Sequence, residues 1–207
     1  MSISTVVDSS WEQLDREALG ELVNMAMGQA GSSLAKLFGR FVELSIPNVN
    51  IHSREALHSK VSQILPKGEL WVATQPFHMH VGGESVVLAQ HYVSSPLAEL
   101  MGFDEGEVTD EEMLLELANL INGAFLGQLG NLLGVPVGFT PPTLLCNASQ
   151  RQNVASQLFP ETAEWTHSLV MEVEFNLEGE SLSLYLWLLL TEKCSQWLTT
   201  VVEEFFE

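Results

Sequence analysis

Residues 109–133 read TDEEMLLELANLINGAFLGQLGNLL, and this stretch decides the fold. Leu114, Leu115, Leu117, Leu120, Ile121, Phe125, Leu126 and Leu129 leave little of a helix circumference polar. Thr109, followed by acidic residues at 110, 111 and 112, suits a helix N-cap facing the positive end of the dipole. Gly134 stands where a C-terminal stop belongs. At about 100° per residue, Glu112, Glu116, Asn119 and Gly123 fall within one narrow arc of this helix. A helix this apolar is predicted to be buried, with that one stripe facing water.

The same stripe occurs earlier. Glu17, Glu21, Asn24 and Gly28 precede Glu112, Glu116, Asn119 and Gly123 by 95 residues, as Gly39 precedes Gly134 and Pro47 precedes Pro142. Each half therefore carries Glu-x-x-Asn on a helix, with a proline 23 positions beyond the Asn. Gly83-Glu84-Ser85 recurs as Gly179-Glu180-Ser181, 96 residues on. Matches at this many positions read as a duplication.

The predicted elements repeat in order. Long helices span Ser10–Phe38 and Thr109–Leu133, and each is followed by a short apolar strand, FVELSIP or VPVGFTPP. Second helices are read in REALHSKVSQI and SQRQNVASQLF. Paired strands follow at about 70–81 and 85–93, then at 168–177 and 181–190, with the Gly-Glu-Ser segments as turns. Helices at Pro96–Met101 and Glu192–Phe206 close the halves. No Pro/Gly/Ser linker divides them. The expectation is one α+β domain over residues 1–207, built from halves at about 1–105 and 106–207. Its pseudo-two-fold, duplicated unit would pack two long helices on a shared, mainly antiparallel sheet.

Two choices in the stripe are unfavourable for a helix. Asn competes for backbone hydrogen bonds, and Gly in a helix interior is about 1 kcal/mol worse than Ala. Glycine also permits tight helix packing, and Glu with Asn also simply solvates a surface. Their presence in both halves points instead to a shared use. Side by side, an amide can hold and orient water, while a carboxylate can grip a cation or act as a base. The set has no nucleophile and no metal-ligand spacing, which suits water activation on a substrate that brings its own electrophile and metal.

At these residues the chain resembles the CheC/CheX/FliY family of chemotaxis phosphatases, which hydrolyse the aspartyl phosphate of the response regulator CheY. The resemblance covers nearly the whole chain, and the duplicated plan is that of CheC itself, with two pairs in one chain. CheX carries one pair and dimerises. The resemblance implies that Asn24 and Asn119 position the attacking water, and that Glu21 and Glu116 bind a regulator lysine. It implies no cofactor of the chain's own, with Mg2+ held by the partner regulator. Glu17, Gly28, Glu112 and Gly123 would meet that partner, while Pro47 and Pro142 complete the motif structurally. Family members usually have Asp or Ser four residues before the motif Glu, whereas both halves here have Glu. Two non-catalytic alternatives accompany this reading: an interaction module like the middle domain of FliM, or an adaptor that binds a CheD-like deamidase.

Composition bounds the rest. With 27 acidic and 8 basic residues the formal net charge is −19, which disfavours nucleic acid as a partner. The N-terminal MSISTVVDSSW has neither the basic nor the apolar region of a secretion signal, and the longest apolar run, 184–190, is too short to cross a membrane as a helix. A cytoplasmic protein with Cys146 and Cys194 reduced is expected. His78 and His80 share a strand face but lack a third ligand at useful spacing, and Trp165, Trp187 and Trp197 read as core.

Overall fold

Asp15 opens the first long helix. Its carboxylate accepts from the backbone N–H groups of Glu17 and Ala18, both at 3.0 Å, and so satisfies two donors that lack helical partners. Gly39 ends that helix at φ 63°, the left-handed region that glycine enters without strain. The computed structural model describes residues 11–64, 70–90, 98–99, 101–104, 106–146, 154–160, 167–177 and 183–207. In chain order its elements are α1 (Arg16–Phe38), β1 (Val42–Leu44), β2 (Asn48–Ser53), α2 (Arg54–Ile64), β3 (Leu70–His78), β4 (Gly82–Gln90) and α3 (Asp110–Leu133). Then come β5 (Gly138–Phe139), β6 (Thr143–Cys146), α4 (Val154–Leu158), β7 (His167–Leu177), β8 (Ser183–Thr191) and α5 (Ser195–Phe206).

The strands form one antiparallel sheet in the order β1-β7-β8-β4-β3-β5, with β2 also on β7 and β6 also on β3. Central β4 and β8 come from different halves. So do the flanking pairs: β1 and β2 of the first half lie on β7 of the second, and β5 and β6 lie on β3 of the first. The halves are interleaved, which accounts for the missing linker.

Strand alternation separates two cores. Ala73, Phe77, Val87, Met171, Leu186 and Leu188 face the long helices α1 and α3, which pack on each other, and α5. On the opposite face, Val72, Val86, Leu88, Val170 and Trp187 meet Leu57 and Val61 of α2 and Val154 and Leu158 of α4. The α+β fold with two long helices on a shared antiparallel sheet is as expected, and shorter helices cover its other face.

Several boundaries differ from expectation. α1 starts at Arg16 rather than Ser10, because Trp11 and Leu14 instead fold into the core through a turn closed by Leu14 N–H on the Trp11 carbonyl at 3.3 Å. Gly83-Glu84-Ser85 is not a turn but part of β4. The chain reverses at Met79–Val81, where Met79 N–H donates to the Val81 carbonyl at 3.0 Å. Gly83 serves close approach instead, since a Cβ there would overlap the Phe77 ring. Its supposed counterpart, Gly179–Ser181, lies outside the described residues, as do 91–97, 100, 149–153 and Trp165. Of the expected 96–101 helix only Ala98, Glu99 and Met101 are therefore described, the first two helical and Met101 in a turn, and α4 is described only from Val154. The strand after each long helix is short: three residues in β1 and two in β5.

Register shows how the halves correspond. Leu44 pairs with Phe175 as Phe139 pairs with Phe77, and Ser45 N–H donates to the Glu174 carbonyl as Thr140 N–H donates to that of Pro76. The long helices and the strands after them thus repeat at 95 residues, but β3 matches β7 at 98.

Candidate functional site

The apolar residues of α1 and α3 pin each helix to the sheet, and what remains outward is the stripe. Leu19, Leu22, Val23, Ala26 and Met27 are buried in α1, while Glu17, Glu21, Asn24 and Gly28 are exposed. Met113, Leu114, Leu117, Ala118 and Ile121 are buried in α3, while Glu112, Glu116, Asn119 and Gly123 are exposed. All eight predicted stripe residues therefore reach the surface, four on each of two helices that pack together.

The stripe glycines do not serve packing. A Cβ at Gly28 or Gly123 would meet nothing within 4 Å. Gly31 and Gly130 are the packing glycines. A Cβ at Gly31 would come within 2.6 Å of Leu44 Cδ1, and one at Gly130 within 2.8 Å of the Val135 carbonyl oxygen. Gly28 and Gly123 leave bare helix one turn beyond each Asn, open to an approaching surface.

The two sites differ in their surroundings. Thr109 Oγ1 accepts from Glu112 N–H at 3.2 Å, and the Glu112 carboxylate accepts from Thr109 N–H and Oγ1, both at 2.9 Å, a reciprocal capping box. These bonds hold the Glu112 carboxyl below its usual pKa. Glu112 is thus committed to its helix end, whereas in α1 the cap is Asp15 and Glu17 plays no such part.

Pro142 lies beside the second pair. Glu112, Leu115, Glu116 and Asn119 from α3 and Phe139, Thr140, Pro141 and Pro142 from the β5–β6 connection line an open groove of about 560 Å3. β3 holds that connection in place through the Thr140 N–H bond to the Pro76 carbonyl at 3.1 Å. Pro47 is half-buried between β1 and β2. A second concavity, of about 380 Å3, opens on the other sheet face around Tyr185 and Trp187.

A polar chain beneath Asn119 escaped the sequence reading. Gln75 Nε2 donates to Asn119 Oδ1 at 3.0 Å and to the Thr140 carbonyl at 2.9 Å. Asn122 Nδ2 donates to Gln75 Oε1 at 2.7 Å, and Ser85 Oγ donates to Asn122 Oδ1 at 2.6 Å. Gln75, Asn122 and Ser85 are each at most 1% exposed. The available signal was a polar residue on the apolar side of an alternating strand, Trp71, Ala73, Gln75, Phe77. Among the described residues the first half has nothing comparable. The position matching Gln75 is Val173 and that matching Asn122 is Met27, both buried. Among the described residues the Asn24 side chain makes no hydrogen bond.

Other candidates resolve simply. His78 and His80 are exposed, and His80 stacks on Trp197 with ring centroids 5.7 Å apart. Among the described residues no three His, Cys, Asp or Glu side chains group as metal ligands, and no helix is long and apolar enough to cross a membrane. Cys194 is buried, its thiol directed at the Gly82 carbonyl oxygen 3.6 Å away.

No protein-family model matches the chain. Among curated proteins it is similar to the flagellar motor switch phosphatase FliY of Bacillus subtilis (strain 168). The two are 22% identical over 138 residues, covering 63% of this chain and 35% of that protein. The chain thus spans about a third of its relative's length. Among solved structures, Thermotoga maritima FliY has the same fold, with a TM-score of 0.67 at 20% identity over 93% of this chain and 98% of that one. The FliM middle domain of H. pylori also shares it, with a TM-score of 0.56 at 12% identity over 91% and 99% of the two chains. The chain thus shares the fold of FliY and of the FliM middle domain, resembles FliY in sequence, and exposes a Glu-x-x-Asn pair on each long helix.

Proposed function

We propose that this protein is a phosphatase for the aspartyl phosphate of a CheY-type response regulator in chemotaxis or two-component signalling. The observation that carries the reading is the matched exposure of Glu21 with Asn24 and Glu116 with Asn119, each pair followed by a bare glycine. In this reading the helix stripe docks against the regulator's phosphorylated pocket. Asn24 or Asn119 holds a water in line with the phosphorus, and Glu21 or Glu116 binds a lysine of the regulator. Water attack forms the new P–O bond as the P–O bond to the aspartate breaks, which returns a carboxylate and inorganic phosphate. Such transfers depend mainly on positioning and charge, so two inserted side chains suffice. The divalent metal, Mg2+, belongs to the regulator, and this chain contributes none.

The test is phosphate release from acetyl-phosphate-labelled CheY-type regulators of the same genome. Acceleration by the wild type that is lost in N24A/N119A supports the reading, and full activity in that double variant overturns it.

The likeness to the FliM middle domain favours a second reading, a binding module without turnover. Regulator binding with no acceleration would select it. Co-purification with a CheD-like deamidase, again without turnover, would select the adaptor role instead. We place the protein in the cytoplasm, where such regulators act.

A further inference from the structure

The second pair rests on a buried hydrogen-bond relay, and we propose that Gln75 is a positioning residue that fixes which face of the Asn119 amide meets the substrate water. The inference rests on the phosphatase reading for its catalytic consequence. Its geometric part stands alone.

The polarity of the relay follows from one group that cannot be reversed. The Thr140 carbonyl only accepts, so the Gln75 atom 2.9 Å from it is the NH2 nitrogen. That nitrogen also lies 3.0 Å from the Asn119 side chain, which must therefore turn its oxygen inward. Gln75 Oε1 is left to face Asn122, which must present its NH2 at 2.7 Å, and Asn122 Oδ1 then accepts from the Ser85 hydroxyl at 2.6 Å. Each amide orients the next, and reversing any one would set like atoms against each other in a buried setting.

The consequence appears at the surface. With Oδ1 tied to Gln75, the Asn119 NH2 becomes the outward group, a donor on the groove that holds Glu116 and Pro142. A water held through one lone pair by this NH2 keeps its other lone pair for the phosphorus. Holding the amide in advance removes the freedom it would otherwise lose on reaching the transition state. At the first site the equivalent positions hold Met27 and Val173, whose side chains offer no such bond, and among the described residues the Asn24 amide makes no hydrogen bond, so the first site works with an amide free to rotate.

The test uses Q75M, close in shape and unable to donate, in two full-length backgrounds. In N24A, where the second site acts alone, kcat for phosphate release falls roughly tenfold with KM little changed. In N119A, where the first site acts alone, the same substitution produces no such fall. An equal fall in both backgrounds would show general destabilisation and overturn the proposal, as would no change in either. A second measurement does not depend on turnover. The side-chain NH2 resonances of Asn119 should shift and exchange faster with water in Q75M while those of Asn24 stay put. Asn119 signals that do not respond would overturn the proposal even if the protein proves to be no phosphatase. An active wild type with unresponsive Asn119 signals would leave the phosphatase reading standing alone.

Discussion

Gly123 stands one helical turn beyond Asn119 on the exposed face of α3, with open space where its side chain would lie. Gly28 bears the same relation to Asn24 on α1. Neither packs against anything, so alanine at either position should favour the helix by about 1 kcal/mol. G28A and G123A should each raise Tm by about 2–4 °C. In the phosphatase reading they should also lower activity, because a methyl group would stand between the helix and the docked regulator. A gain in Tm with full activity in the double variant would reduce the repeated pairing of Asn and Gly to shared ancestry of the two halves.

Gly130 predicts the opposite sign. It is buried, and a Cβ there would overlap Val137 Cγ2 and lie 2.8 Å from the Val135 carbonyl oxygen. Val135 N–H is bonded to the Gly130 carbonyl at 2.9 Å, so that backbone cannot move aside freely. G130A should destabilise by about 1–3 kcal/mol. Thermal melts of G123A and G130A side by side check this, and a stabilised G130A would contradict it.

The helix pattern was legible because α1 and α3 carry their apolar residues on a fixed period, which leaves one polar stripe visible in the letters. Site exposure followed from the same pattern. The strands were less legible. An offset of 96 taken from Gly-Glu-Ser is not the offset of the sheet, where Phe77 and Phe175 correspond. Strand equivalence is set by cross-strand pairing, and letters alone do not show which carbonyl a given N–H will meet. The relay under Asn119 was hidden for a related reason. Gln75, Ser85 and Asn122 lie on three separate elements and converge only after the sheet and α3 are assembled. Trp11 looked like part of a helix because it is apolar in a helical window, but Asp15 captures the free N–H groups and starts α1 later.

Thr109 caps α3 through both its hydroxyl and its backbone N–H. T109A should cost about 1 kcal/mol of stability near neutral pH. Its effect depends on pH through Glu112, whose folded pKa these bonds lower. A carboxyl with a lowered folded pKa contributes stability above its unfolded pKa and loses it as pH falls through the folded value. The Tm difference between wild type and T109A should therefore narrow on acidification from neutral pH. A difference that stayed constant into acid would separate Glu112 from the cap.

Glu84 titrates in the opposite sense. It lies on β4 opposite Pro76, largely withdrawn from water, and burial raises its pKa above the ordinary 4.5, opposed by a hydrogen bond with Thr74. Because the folded value is raised, the fold has its full stability with respect to this group below the unfolded pKa. That stability is lost as pH rises through the folded pKa, where the buried carboxyl must ionise. Gln keeps the shape and hydrogen bonding without the charge. E84Q should thus melt at a higher temperature than wild type at pH 7, with the gap closing at about pH 3, where Glu84 is protonated in both states. Paired melts across this range decide it: a gap that persists unchanged in acid would mean that the substitution acts through packing rather than through ionisation.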